Sequence, residues 1–218
     1  MNYAIVVLIS GSGSNLQALL DNVENGSIPG KITHVISNQE NAYGLERARK
    51  HGIPYTVLDH KQYPSREHYD HALQELLDAL DPDLVVLAGF MRILGEKLVN
   101  AYSGKMINIH PSLLPHYRGL HTHQRVLEAK ETRHGTSVHF VSSELDGGPV
   151  IAQASLQINP GETPETLQAR VQTLEHQLYP QVVAQLAAGR LQLKQGIVYL
   201  DGTPLDSAVA IGLHDYKN

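Results

Sequence analysis

Asn108 and His110 stand two residues apart in Met106-Ile107-Asn108-Ile109-His110-Pro111-Ser112-Leu113-Leu114-Pro115. The first half of this stretch alternates as a strand does, and the second half is a proline-bracketed loop. Residues two apart in an extended segment project from one face, so the carboxamide and the imidazole leave the strand together, opposite Ile107 and Ile109. An amide N–H and a titratable ring at the carboxyl end of a strand can bind a developing oxyanion and move protons. Taken alone, the pair reads equally well as a turn-capping asparagine and a satisfied surface histidine. Asp146, in the turn Asp146-Gly147-Gly148-Pro149, is the acidic group the pair lacks. A carboxylate beside an imidazole fixes its tautomer and favours the imidazolium. On spacing alone, an ordinary aspartate before a turn glycine is the simpler reading.

A second chemical feature is Ser10-Gly11-Ser12-Gly13-Ser14-Asn15, which follows the apolar run Tyr3 to Ile9 and precedes helically spaced Leu16, Leu19, Leu20 and Val23. Glycines allow close backbone approach, and helix-start N–H groups with serine hydroxyls favour an anion. The dinucleotide fingerprint fails because Leu16 stands where a third glycine belongs, and the Gly-Lys-Ser/Thr of a P-loop is absent. What remains is a monophosphate cradle built on Gly11, Ser12, Gly13, Ser14 and Asn15, set against a plain strand-to-helix turn.

Other candidates are weaker. Gly89-Phe90-Met91-Arg92-Ile93-Leu94 places an aromatic, a methionine and two aliphatics at a strand's carboxyl end, where a flat apolar ligand fits as well as the packing of the next helix. Gln172 and Glu175 lie three apart on a helix and face one neighbour, or else form a solvated edge. The chain has 13 histidines, so a metal site must be considered. His68 and His71, or His110 with His121 and His123, lack the complementary ligands of a recognisable site, and no metal is expected.

The elements that must position these groups follow from the apolar pattern. Tyr3–Ile9 and Asp83–Ala88 are continuous apolar runs, as in strands buried on both faces of a parallel sheet. Lys31–Ser37, Tyr55–Leu58 and Met106–His110 read as further strands. Helices are expected over Tyr43–His51, from the cap Ser65 to about Leu80, over Glu96–Tyr102, Gln124–Lys130 and Thr163–Gly189, the last bent at Pro180. Gly135–Val141 and Val150–Ile158 form a hairpin. The fold class is therefore α/β: a mostly parallel, doubly wound, Rossmann-like sheet with an antiparallel addition toward the C-terminal half. Residues 1–200 are expected to form one catalytic domain, followed at 201–218 by a hairpin turn at Asp201-Gly202 and a loose tail from Ala208.

The net charge of -5 and pI near 6.2 give no general pull toward nucleic acid or anionic membrane. The absence of cysteine rules out disulfides, thiolate zinc sites and a cysteine nucleophile. The apolar start is too short to span a bilayer and lacks signal-peptide flanks, so a cytoplasmic protein is expected.

Five segments taken together resemble the phosphoribosylglycinamide formyltransferase family, the folate-dependent glycinamide ribonucleotide transformylases. They are Ile9 to Leu16, Ala88 to Leu94, Asn108 to Pro115, His134 to Val141 and Leu145 to Ile151. The resemblance implies formyl transfer from 10-formyltetrahydrofolate to the amine of glycinamide ribonucleotide, the third step of purine synthesis, without a metal. It assigns Asn108, His110 and Asp146 to catalysis. Gly11, Ser12, Gly13, Ser14 and Asn15 are assigned to the ribonucleotide phosphate, and Gln172 and Glu175 to further ribonucleotide contacts. Arg66, Met91, Arg92, Ile93, Leu94, Asn108, Ser142, Ser143, Glu144, Leu145 and Asp146 are assigned to the folate. The implied partners are these small molecules, with no nucleic acid or membrane, in a monomer or homodimer. Formyltetrahydrofolate deformylase is the nearest alternative activity. A phosphate-ligand sensor without catalysis is the alternative of another class.

Overall fold

A computed structural model describes residues 3–205. The parallel strands are β1 (Ala4–Ile9), β2 (Lys31–Ser37), β3 (Tyr55–Val57), β4 (Leu84–Leu87) and β5 (Met106–His110). Two more, β6 (Arg133–Phe140) and β7 (Val150–Gln157), complete a seven-stranded sheet in the order β3-β2-β1-β4-β5-β6-β7. Strands β6 and β7 run antiparallel to their neighbours, β6 against β5 and β7 against β6, which is the expected antiparallel addition.

Alternation along β1 divides the core into two layers. Ile5, Val7 and Ile9 pack with α1 (Ser14–Glu24), α2 (Gly44–Lys50) and α6 (Pro164–Ala187). Val6 and Leu8 face the other way, toward α3 (Arg66–Leu80) and α4 (Glu96–Ala101). A sheet covered on both faces explains why its central strands read as unbroken apolar runs. Each fully buried Val, Leu or Ile contributes roughly 1.5–3 kcal/mol against conformational entropy.

Caps define the helix starts. The Ser65 side chain accepts from His68 N–H to begin α3, and Thr163 and Thr166 form a reciprocal capping box ahead of α6, with Pro164 in its first turn. α6 continues as a single helix through Pro180, whose ring is buried in the core stripe. A short α5 (Thr122–Glu128) follows the loop after β5.

The C-terminal end differs from the expected hairpin. Strands β8 (Leu191–Lys194), β9 (Ile197–Leu200) and β10 (Thr203–Pro204) form a three-stranded meander. Asp201-Gly202 joins β9 to β10, and the first turn is Gln195-Gly196, at φ 50° and 79°. The tail expected from Ala208 lies outside the described residues. Among the described residues, no helix is long and apolar enough to cross a membrane.

Candidate active site

Strand order reverses between β1 and β4, so a crevice opens at their carboxyl ends. The loops after β1, β4 and β5 all emerge there. Ser10 ties the first two together: its hydroxyl accepts from Met91 N–H at 2.8 Å and donates to Asn38 Oδ1 at 2.6 Å.

Asn108, His110 and Asp146 converge at this edge. His110 Nδ1 lies 3.4 Å from Asp146 Oδ2, and His110 Nε2 lies 3.0 Å from the carbonyl oxygen of Tyr117. Both neighbours are oxygen acceptors, and each ring nitrogen faces one of them. Asp146 is held in turn by Gly119 N–H at 2.9 Å. Its backbone sits at φ 48°, a left-handed conformation that Asp tolerates better than most residues, and this turns the carboxylate inward.

A third ring, His139, belongs to the cluster. It lies opposite Asn108 in the antiparallel β5–β6 register, so the two side chains share a face. His139 Nδ1 lies 2.9 Å from the Phe140 carbonyl, which only accepts, so Nδ1 carries the proton. Nε2 is left as the acceptor, and the Asn108 amide nitrogen donates to it at 3.2 Å. Burial pushes the His139 pKa down and outweighs the Phe140 bond and the nearby Asp146, which act in the other direction. The site therefore pairs a histidine flanked by two acceptors with a histidine held neutral.

The loop carrying His110 is fixed by buried polar groups. Thr136 Oγ1 donates to the His110 carbonyl at 2.9 Å, and Ser137 Oγ donates to the Ser112 carbonyl at 2.6 Å while accepting from Leu114 N–H at 3.0 Å. Gln153 Nε2 adds bonds to Leu114 O and Ser137 Oγ, each at 2.8 Å. The Leu114–Pro115 peptide is cis. This backing reads as an ordinary alternating strand in sequence, since its polar residues gain meaning only when β6 and β7 pair behind β5.

The glycine loop lies beside this centre. Gly13 has φ 68°, and a Cβ there would fall 2.6 Å from Gly44 Cα, so only glycine fits. The start of α1 has no side-chain cap, which leaves its N–H groups available to an anion. Helix α6 meets it: Gln172 Nε2 donates to Ser14 Oγ, and Asn15 Nδ2 donates to Glu175 Oε2, both at 2.8 Å. Glu175 is thus buried rather than on a solvated edge, and burial pushes its pKa up although the Asn15 bond acts in the opposite direction. Asn15 Oδ1 is buried without a hydrogen-bond partner among the described residues. One turn further along α6, the Tyr179 hydroxyl donates to the carbonyls of Leu87 and Ile107 at 2.9 and 3.2 Å, fixing the helix to the ends of β4 and β5.

An open cleft lies beside Asn108. Arg92, Ile93, Leu94, Asn108 and the segment Ser142 to Asp146 line it. The expected set omitted Leu87, Phe90, Val99, His139 and Val141, which form part of its wall. Met91 and Arg66 are not among the lining residues. The Met91 side chain is 64% exposed, and Arg66 is exposed at the start of α3.

The remaining histidines do not gather around His110 as ligands. His123 Nδ1 lies 3.0 Å from His134 Nε2, while His121 is an exposed helix-start residue and His68 bonds Ser65. Among the described residues, no group of three or more His, Asp or Glu side chains is arranged to hold a metal.

Residues 3–183 match the formyl transferase family model. The phosphoribosylglycinamide formyltransferase of Escherichia coli strain K12 is 52% identical over 201 residues, covering 92% of this chain and 95% of that protein. A trifunctional purine biosynthetic protein of Bos taurus is 45% identical over 189 residues, 87% of this chain and 19% of that protein. The solved phosphoribosylglycinamide formyltransferase of Coxiella burnetii superposes with a TM-score of 0.92 at 51% identity, covering 96% of this chain and 100% of that one.

Proposed function

The chain belongs to the formyl transferase family, among the phosphoribosylglycinamide formyltransferases, and from that premise we propose that Asn108, His110 and Asp146 carry the transfer. It is an enzyme of purine biosynthesis that transfers a formyl group to glycinamide ribonucleotide. The observation that supports our residue assignment is the His110 ring set between Asp146 and the Tyr117 carbonyl, on the strand that also carries Asn108. This centre separates the glycine loop from the cleft, so two substrates can meet there.

The cleft suits 10-formyltetrahydrofolate as the donor. Its Leu87, Phe90, Ile93, Leu94, Val99 and Val141 side chains offer apolar walls for a planar ring, and the backbone of residues 142–146 offers polar groups for that ring's edge. The bound folate supplies the formyl carbon. The ribonucleotide phosphate takes the Gly11 to Asn15 loop, and Gln172 and Glu175 hold the rest of that substrate.

With both substrates in place, the amine attacks the formyl carbon and negative charge develops on the formyl oxygen. The free N–H of the Asn108 amide and the protonated His110 stabilise that charge, and Asp146 stabilises the cation. His110 also balances the protons: it gives a ring proton to the leaving nitrogen as the C–N bond of the tetrahedral intermediate breaks, and takes the attacking amine's proton in its place. These small molecules are the proposed partners, acting in the cytoplasm as a monomer or homodimer. No metal takes part in the proposed chemistry, and residues 1–200 form the proposed catalytic unit.

The test mixes the protein with glycinamide ribonucleotide and 10-formyltetrahydrofolate and follows release of the deformylated folate, with a no-acceptor control. Release that depends on the ribonucleotide supports the reading. Release without it would indicate the deformylase, and silence in every arm would indicate the sensor.

A further inference from the structure

Residues 91–95, of which Arg92, Ile93 and Leu94 line the cleft, have no regular secondary structure, so the shape of this wall depends on groups outside it. One end is tied by the Met91 N–H bond to Ser10 Oγ at 2.8 Å. The other end is tied by Gly95 N–H, which donates to Asp70 Oδ2 at 2.7 Å. Asp70 projects from α3, is only 8% exposed, and leaves its second oxygen buried without a partner among the described residues. A Cβ on Gly95 would stand 2.7 Å from Asp70 Oδ2 and would push the carboxylate out of its bond. Next to it, the Arg92 guanidinium lies over the Tyr69 ring at 5.6 Å, again from α3. The carboxylate also caps the start of α4, where Gly95 is the N-cap residue; burial raises the Asp70 pKa, and the Gly95 bond, Arg66 and Arg92 oppose that effect. An unpaired apolar side chain would pack α3 against this segment at lower desolvation cost.

We propose that Asp70 is a positioning residue for the formyl donor: by fixing Gly95 it holds Arg92, Ile93 and Leu94 as the wall of the folate cleft. This rests on reading that cleft as the folate site. Removing Asp70 therefore weakens the folate step selectively, because the Asp70 tie is at the Gly95 end of the segment, away from the Met91 bond to Ser10 that joins it to the ribonucleotide loop.

The experiment measures KM for each substrate and, separately, the Kd for tetrahydrofolate by calorimetry. Asp70→Ala raises the KM for 10-formyltetrahydrofolate and the Kd for tetrahydrofolate about tenfold, as loss of a hydrogen bond to a charged group implies. The KM for the ribonucleotide stays within about twofold on the same principle. Asp70→Asn, which keeps an oxygen toward Gly95, recovers most of the affinity. Gly95→Ala alone mimics Asp70→Ala through its clash, but adds little in the Asp70→Ala background because the oxygen it would strike is gone. Should Asp70→Ala not fold, Gly95→Ala carries the test alone: it raises the KM for 10-formyltetrahydrofolate and the Kd for tetrahydrofolate while Asp70→Asn leaves both near wild type, and neither changes the KM for the ribonucleotide by more than about twofold. Equal rises in both KM values, or strictly additive effects of the two substitutions, would overturn the proposal. Wild-type protein that binds tetrahydrofolate without turnover would instead sink the transfer reading, and the Kd series would still decide the role of Asp70.

Discussion

The Asn108 amide donates to Nε2 of His139 across 3.2 Å, because Nδ1 donates to the Phe140 carbonyl at 2.9 Å and leaves Nε2 of the neutral ring as the acceptor. The orientation of the Asn108 amide is thereby set by a neighbour that does not face the reacting carbon in the proposed mechanism. Losing a single oxyanion donor lowers turnover on the order of 10²- to 10³-fold, and that is the expected effect of Asn108→Ala, with both KM values nearly unchanged. His139→Ala lowers kcat less, about tenfold, because the amide is still present but free to rotate. Since His139 acts through Asn108, the double variant is no slower than Asn108→Ala. A double variant slower by the product of the two single effects would give His139 an independent role.

His110 and Asp146 yield a different expectation. Asp146→Asn keeps an oxygen for Gly119 N–H, so the loop and the thermal midpoint are preserved while the charge that favours the imidazolium is lost. Turnover is expected to fall by about 10²-fold or more, the range of general acid–base contributions. Parallel measurement of kcat and Tm checks this. A large drop in Tm would show that Asp146 serves mainly to close its turn.

Most of the framework was legible from periodicity. Strands buried on both faces announce themselves as unbroken β-branched runs, and Ser65 and Thr163 mark helix starts by capping chemistry. The β5 pair was also visible, because Asn108 and His110 need only the two-residue repeat of a strand to share a face. His139 was not visible, because its relation to Asn108 exists only once β6 pairs antiparallel in one particular register. Tyr117 contributes a main-chain carbonyl from a left-handed backbone at φ 56°, which no side-chain pattern encodes. Glu175 read as a helix edge because the partner that buries it, Asn15, lies 160 residues away. The family resemblance named Glu175 where spacing could not.

Glu175 sets stability against function. Burial raises its pKa, and the Asn15 bond only partly opposes this, so the folded chain binds a proton more readily than the unfolded one. Ionising the group as pH rises through its folded value therefore lowers stability. Glu175→Gln removes that charge and keeps an oxygen for Asn15. The variant is expected to melt higher than wild type at pH 8, with a KM for the ribonucleotide raised about tenfold or more through the lost charged contact. Thermal melts and initial rates check both halves. A lower melting point at pH 8 would contradict the linkage.

Acid lability should trace to His134. Burial first, then the neighbouring His123 and His110, push its pKa from 6.5 down to about 4, against the opposing effect of Glu162. Its Nδ1 is buried without a partner among the described residues. Between pH 6.5 and about 4, the unfolded chain binds a proton that the folded chain refuses, so stability falls as pH falls through this window and is complete above it. Burial shifts His123 in the same direction and adds to the effect. Urea midpoints at pH 7.5 and pH 5 should diverge in wild type and converge in His134→Gln. An equal drop in both proteins would place the acid lability elsewhere.

Gly148 connects backbone packing to the reaction centre. A Cβ there would fall 1.9 Å from the Phe140 carbonyl oxygen, a collision with backbone that no rotamer relieves. That same carbonyl accepts from His139 Nδ1 and so sets the tautomer on which the Asn108 bond depends. Phe140 N–H in turn donates to the Pro149 carbonyl at 3.0 Å, so displacement of this turn also pulls on Asp146 two residues earlier. Gly148→Ala is expected to destabilise the fold by about 1–3 kcal/mol or more, the usual range for overpacking a filled site. Protein that remains folded should show a loss of kcat larger than its loss of ribonucleotide binding, because the groups the turn displaces first are the Phe140 carbonyl and Asp146. Asp146 and His139 both move, so the kcat loss should exceed that of His139→Ala. Urea unfolding and steady-state kinetics at a temperature well below the melting point check the two effects separately. A stable variant with full turnover would show that the turn can shift without disturbing the Phe140 carbonyl, and the proposed path from Gly148 to Asn108 would be lost.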